Sequence, residues 1–415
     1  MYSDSRLVVD ALAEFMESVM ERHQVATVSE NRMNQVRHIM QVDEESFRNN
    51  ITAEQLQTIE SKEMALILDE LVSSIGLQRF RFVDRQASGD IEVCRNLTRM
   101  AASICDACRA VSTEKRPVKV GAGLSDLLIK AAGHPSVDVS GIALDALAEE
   151  VNSESGLVHQ LLPVLQGRAI TPHKFVDEKV PSIIPDDSKH HDGFEAFELF
   201  RQTSLTDCLE ACWKAQPDIY MNSCVAAIEE FCQPQASPQL SFHLEAALFC
   251  VIAVSEVVQG NDISSHLAKL AAALSSKPSS LTSNPLTLAR ACNFVEKYAD
   301  WFVKNPVNDV LDVAADLALS TFNLCTTNFP YEPASVEMKR EGNISPFHES
   351  AQAMKTLLVR APTHFISSQA ITSLGAGWEA SFAASNRSDI LDVEDRENMC
   401  EGLCYVVASL PEEQR

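Results

Sequence analysis

The chain has 415 residues, 46% of them apolar but only 6% aromatic, with 14 glycines. That length is too great for one ordinary core, and the scarcity of glycine argues against strands and tight turns, leaving several domains or one extended array of helices. A formal net charge of −24 sets the surface against phosphate backbones, so direct nucleic-acid binding is not expected, and suits basic protein partners.

Helical spacing of apolar residues predicts helices over Arg6–Arg22 and Thr52–Ile75. The opening Met1–Ser5 leads into an amphipathic stretch with Glu14, Glu17 and Glu21, which does not read as a secretory signal. Asp84–Asp90 reads as a short polar joint, and a helix follows over Asp90–Val111. Gly123–Val151 carries the clearest pair. Leu124, Leu127, Leu128 and Ala131 line one helix, His134-Pro135-Ser136 stops it, and Val139, Ile142, Ala143, Ala146, Leu147 and Val151 line the next. Glu154–Leu165, Gly193–Lys214 and Ile219–Phe231 continue the helical pattern, interrupted by a Pro- and Asp-rich loop at His173–His191.

Ser237-Pro238 supplies a cap followed by proline. The stripe Leu244, Ala247, Leu248, Val251, Ile252 and Val258 comes next, with Gly260 as its C-terminal stop. Asp262 caps the partner helix, which carries Leu267, Leu270, Ala271 and Leu274. A third pair starts at Asn284-Pro285 and Asn305-Pro306. Leu288, Cys292, Val295, Ala299 and Phe302 line its first helix; Val310, Val313, Leu317 and Phe322 line its second. Pro330–Pro346 reads as a loop with Pro333, Lys339, Arg340 and Gly342, and helices follow at Ser350–Arg360, Phe365–Phe382 and Val393–Leu410.

No stretch alternates with period two, so the predicted fold is all-α, an α-solenoid (superhelix) of HEAT/armadillo-like helical pairs. At ~40–47 residues per unit the chain holds about nine or ten. The expected organisation is repeats over 1–86 and 87–172, a loop over 173–192, repeats over 193–329, a loop over 330–346, and repeats over 347–415 that end without a capping unit. The last helix is therefore expected to leave an apolar face uncovered, its partner helix falling after Pro411, as in a fragment or incomplete gene model. The longest apolar run, Leu244–Val258, is broken by Ser255 and Glu256 and is too short to span a bilayer, so no membrane anchor is expected.

Twelve cysteines include Cys105, Cys232, Cys250, Cys292, Cys325 and Cys404 inside apolar helical stretches, and they read as reduced, buried small hydrophobes. Cys105-Asp106-Ala107-Cys108 is a CxxC in mid-helix, without the second ligand pair that zinc needs or the preceding strand of a thioredoxin-type site. Cys208/Cys212 and Cys400/Cys404 are i,i+4 pairs read the same way. His190-His191 sits in a polar loop, and Gly121-Ala122-Gly123 opens a helix without the lysine of a phosphate loop. Asn96-Leu97-Thr98 matches a glycosylation acceptor but falls inside a helix. No catalytic, cofactor-binding or metal-ligating residue is predicted, no cofactor is expected, and the chain is read as non-enzymatic.

Five blocks resemble, in order, the transportin-SR/importin-13 branch of karyopherin-β nuclear transport receptors. The first is Leu127-Leu128-Ile129-Lys130-Ala131-Ala132-Gly133-His134-Pro135, with Val139 and the helix ending Leu147–Glu150; the second is Gly193–Arg201 with Asp207-Cys208-Leu209. Glu245–Glu256, then Phe294–Phe302 with Asn305-Pro306, and finally Met399–Pro411 complete the series. The resemblance runs from about Ile91 to the end, and its force lies in the order and spacing of the blocks.

It implies the central solenoid of an import receptor that shuttles between cytoplasm and nucleus. Such a receptor carries protein cargo, including Arg/Ser-rich proteins, through the nuclear pore. The implied partners are that cargo, the small GTPase Ran in its GTP form (mainly through N-terminal repeats missing here) and Phe-Gly nucleoporins. An exportin-type receptor or a non-transport HEAT scaffold are the alternatives; no cargo-contacting residue follows from the motifs.

Overall fold

The computed structural model describes residues 82–111, 122–172, 194–258, 262–304, 310–328, 346–366, 376 and 393–414. The fold is all-α, and no strand occurs among the described residues. Close packing divides the chain into two units, 1–154 and 155–415.

In the first unit, α1 (Ile91–Val111), α2 (Ala122–Ala132) and α3 (Val137–Ser153) pack on one another. The predicted stripe Leu124, Leu127, Leu128 and Ala131 is fully buried, and His134-Pro135-Ser136 forms the stop between α2 and α3. Ser140 Oγ donates to Ala132 O at 2.6 Å, fastening that turn from the following helix. Two details differ from expectation. The joint at 84–90 is helical through residue 87, and only 88–90 turn, at Gly89 with φ of 74°. In α3, Leu144 is buried where Ile142 is half-buried.

In the second unit the helices stack in sequence order. They are α4 (Val158–Arg168), α5 (Phe194–Phe200), α6 (Thr206–Ala215), α7 (Pro217–Phe231), α8 (Ser241–Ala253), α9 (Ser264–Ser275), the single turn α10 (Ser279–Thr282) and α11 (Pro285–Lys297). After these come α12 (Ala299–Lys304), α13 (Val310–Asn328), α14 (Pro346–Arg360) and α15 (Val393–Ala408). Helices α8, α11, α14 and α15 lie side by side in one layer; α7, α9 and α13 form a second layer against it. This is the packing of stacked helical pairs, each burying its stripe on its neighbours.

The cap-and-proline signals position several of these helices. Asn284 Oδ1 accepts from Leu286 N–H at 2.9 Å, with Pro285 first in α11. Ser237 Oγ accepts from Gln239 N–H, but the turn it opens is a 3₁₀ turn, Pro238–Leu240, that leads into α8. Asp262 Oδ1 accepts from Ser264 N–H at 3.1 Å, just ahead of α9.

A single helix was expected through Phe302. Instead it breaks at Tyr298, whose hydroxyl donates to Val251 O at 2.8 Å, while Ala299 and Phe302 stay buried in α12. The helix predicted at Glu154–Leu165 starts as a 3₁₀ turn, Ser155–Leu157, and runs on to Arg168; α14 starts at Pro346, four residues early. Of Phe365–Phe382, the start belongs to a 3₁₀ turn, Pro362–Ile366. Arg6–Arg22, Thr52–Ile75, Gly260, Asn305-Pro306 and nearly all of both predicted loops lie outside the described residues. Among those described, no helix is long and apolar enough to cross a membrane.

Candidate functional site

The chemically densest place in the second unit is a buried ionic junction. It begins at a local widening of the backbone. Between α5 and α6, residues Arg201–Leu205 form a π-helical turn, and Thr206 Oγ1 donates to Arg201 O at 2.7 Å. Single π-turns inside α-helices recur at functional positions because they re-aim one side chain. Here that side chain is Arg201, which is fully buried.

Arg201 Nη2 donates to both oxygens of Glu245, at 3.0 and 2.9 Å, and Nη1 donates to Glu198 Oε1 at 3.2 Å and Thr171 Oγ1 at 3.1 Å. Thr171 in turn donates to Glu245 Oε2 at 3.3 Å. From the other side, Arg290 Nε on α11 donates to Glu245 Oε1 at 2.9 Å. Phe249, one turn after Glu245 on α8, lies under both cations, 4.2 Å from Arg201 Cζ and 5.4 Å from Arg290 Cζ. Burial alone would raise the Glu245 carboxyl, but the two guanidiniums and their hydrogen bonds hold it below the usual carboxylate range. A carboxylate so engaged is kept ionised and has its lone pairs occupied. It acts as a clamp joining the π-turn, α8 and α11, and it also ties Thr171, which precedes the predicted 173–192 loop, to Glu198 and Arg201, which follow it.

The junction has a fixed chain spacing. Arg201 and Glu245 are 44 residues apart, and Glu245 and Arg290 are 45 apart. Around them Thr287 Oγ1 donates to Ser241 O across 46 residues and Tyr298 Oη to Val251 O across 47. These separations fall on or near the ~40–47 residues of one HEAT or armadillo unit, so each link joins equivalent places in neighbouring pairs.

The same layer continues outward. Asn293 Nδ2 on α11 donates to Glu349 Oε2 on α14 at 3.0 Å, and burial raises the Glu349 carboxyl. Next to it, His348 Nδ1 meets the buried Asp395 Oδ1 of α15 at 2.7 Å. That hydrogen bond, with the charges of Asp395, Glu349 and Glu394, raises His348 to about 9 against the opposing effect of burial. A raised folded value means the link contributes its full stability below the ordinary histidine value of about 6.5 and loses it as pH rises through about 9. His348→Gln should therefore melt earlier than the unsubstituted chain at about pH 6, with the difference closing above about pH 9; a difference constant across that range would contradict the assignment.

The residues singled out in the sequence lie apart from this junction. Cys105 and Cys108 are buried in α1, where burial pushes the Cys105 thiol far above its ordinary value. Burial likewise pushes Cys224, Cys232 and Cys292 up to about 12, leaving little thiolate to react or bind metal. Cys208 and Cys212 are buried in α6. Cys400 and Cys404 are exposed, a correction: they lie on the side of α15 away from its buried residues Asp395, Asn398, Gly402 and Val406. Asn96 and Thr98 are buried in α1, and Ala122 opens α2 within Gly121–Gly123. The His190-His191 pair lies outside the described residues, and the side chain of Cys325 is likewise not described. Among the described residues, no cluster of three or more His, Cys, Asp or Glu is disposed to hold a metal ion.

No family model matches the sequence, and no curated protein is significantly similar to it. The junction itself was not foreseen. Arg201 and Glu245 stood in the sequence as members of apolar blocks, and the available signal was a charge set inside an apolar stripe with an opposite charge one unit-length away.

Proposed function

We propose that this chain is a protein-binding solenoid of an import-type nuclear transport receptor. The observation that supports this reading is the repeat register of the junction and its neighbours, in which stacked helical pairs are linked across 44–47 residues. The five sequence blocks that resemble the transportin-SR/importin-13 branch fall largely on helices α2–α3, α5–α6, α8, α11–α12 and α15. A stack of this kind offers long rows of side chains and grooves between neighbouring helices, with the buried junction bracing the pairs that carry them. The net charge of −24 favours basic cargo such as Arg/Ser-rich segments, held by exposed charges that salt screens beyond ~8 Å at physiological ionic strength. Phe-Gly nucleoporin repeats would place phenyl rings in the inter-helix grooves.

The test separates the two kinds of contact. The immobilised chain should retain an Arg/Ser-rich peptide with an affinity that falls steeply with salt, and a Phe-Gly repeat peptide with an affinity that barely changes with salt. Replacing Phe by Ser in the second peptide should abolish its binding. A receptor carrying the family's N-terminal repeats together with these should retain Ran in its GTP form and not its GDP form. Equal retention of both forms, or of neither, would remove the transport reading in favour of a HEAT scaffold.

A further inference from the structure

We propose that Arg290 and Glu349 form a latch between α11 and α14, open in this structure, whose closure extends the buried ionic junction into a continuous line of paired charges. The proposal rests on the stacked layer and is independent of the transport reading.

Helices α8, α11 and α14 run parallel. Ser241, Glu245 and Val251 meet Thr287, Arg290 and Tyr298 in that order, and Asn293 and Glu296 meet Glu349 and Gln352. Arg201, Glu245, Arg290 and Glu349 therefore alternate in sign across the layer. The first two are fully engaged. Arg201 donates to Glu245, Glu198 and Thr171, and lies between the Phe197 and Phe249 rings, 5.3 and 4.2 Å from Cζ. Arg290 is held less completely. Nε donates to Glu245 Oε1 at 2.9 Å, but Nη2 is buried without a hydrogen-bond partner in a side chain only 10% exposed. Leaving a buried guanidinium N–H unsatisfied is costly, and the planar fork of arginine suits two acceptors at once.

The missing acceptor lies on the next helix. Asn293 follows Arg290 by one turn, so the two are neighbours on the surface of α11. Asn293 Nδ2 donates to Glu349 Oε2 at 3.0 Å, which leaves Oε1 without a hydrogen bond among the described residues. The Arg290 charge already acts on Glu349, lowering a carboxyl that burial raises. His348, the other cation beside it, is bonded to Asp395. In the closed state Arg290 keeps Glu245 on Nε and gives Nη2 to Glu349 Oε1. No bond of the junction is given up, and α14 is drawn onto α11. Open and closed latch are the two-state element through which a change at the π-turn reaches α14.

The test uses the full 415-residue chain with labelled Leu and Met methyls. Leu288 on α11 and Met354 and Leu357 on α14 are buried reporters of this contact. Relaxation dispersion, which detects μs–ms exchange, should show exchange at all three. Glu349→Met removes the acceptor at nearly constant length and should abolish it. Arg290→Lys keeps a cation for Glu245 but replaces the fork by one nitrogen, and should abolish it too. Asn293→Ala frees Glu349 for Arg290 and should move the same resonances in the opposite direction to Glu349→Met. Absence of exchange in the unsubstituted chain, exchange that survives Glu349→Met, or shifts of one sign in Glu349→Met and Asn293→Ala would overturn the latch. Should Arg290→Lys fail to fold, the two variants at the partly exposed Asn293 and Glu349 decide the matter.

Discussion

Glu245→Ala is expected to lower the stability of the second unit by about 3–5 kcal/mol, because it strands two buried guanidiniums. Arg201 is fully buried and Arg290 nearly so, and both donate to this one carboxylate. The cost is that of uncompensated charge and not of lost volume, and a second variant separates the two. Replacing the group together by apolar residues of similar size, R201M/E245L/R290M, should recover most of the loss, since a buried ionic group as a whole contributes little net stability. Denaturant unfolding followed by circular dichroism checks both, and a triple variant no better than Glu245→Ala would show that the group's worth lies elsewhere. Acid should act in the same direction. With its folded value depressed, Glu245 contributes stability above the ordinary carboxylate range and loses it as pH falls through that folded value.

The second large effect is expected at Trp213. Trp213→Ala should cost about 3–5 kcal/mol by opening a cavity where the structure relaxes only partly. The indole is buried at the end of α6 and meets Tyr220 of α7 edge to face, ring centroids 6.0 Å apart. Tyr220 Oη donates to Cys250 O at 2.6 Å, and Tyr298 Oη takes Val251 O, so two phenols satisfy carbonyls in the last turn of α8. Such carbonyls have no partner within their own helix. Removing the indole should loosen Tyr220 and expose the end of α8, so hydrogen exchange is expected to quicken in α7 and in α8, and to change least in α14. A loss confined to α6 would mean that Trp213 packs locally and does not brace the neighbouring pairs.

The stripes of α2, α8 and α9, the stop at His134-Pro135-Ser136 and the caps at Ser237 and Asn284 were legible because each depends on residues within a few positions of one another. Periodicity decides which face of a helix is apolar, and a side chain able to reach a free N–H decides where the helix begins. By the same local logic Arg201 and Glu245 stood only at the ends of two blocks, Arg290 drew no reading, and Cys400 and Cys404 looked like core cysteines. Their environments are set by helices stacked beside them: Glu245 meets partners 44 and 45 residues away, and the thiols lie on the face of α15 opposite Gly402 and α14. The break at Tyr298 has the same origin, since its phenol is drawn to a carbonyl 47 residues back. Chain-local patterns thus carried the helices and their pairing. Which charges are buried and where a helix must bend were decided only when the pairs stacked, because a charge is desolvated, and a phenol given its carbonyl, by residues that no local pattern identifies.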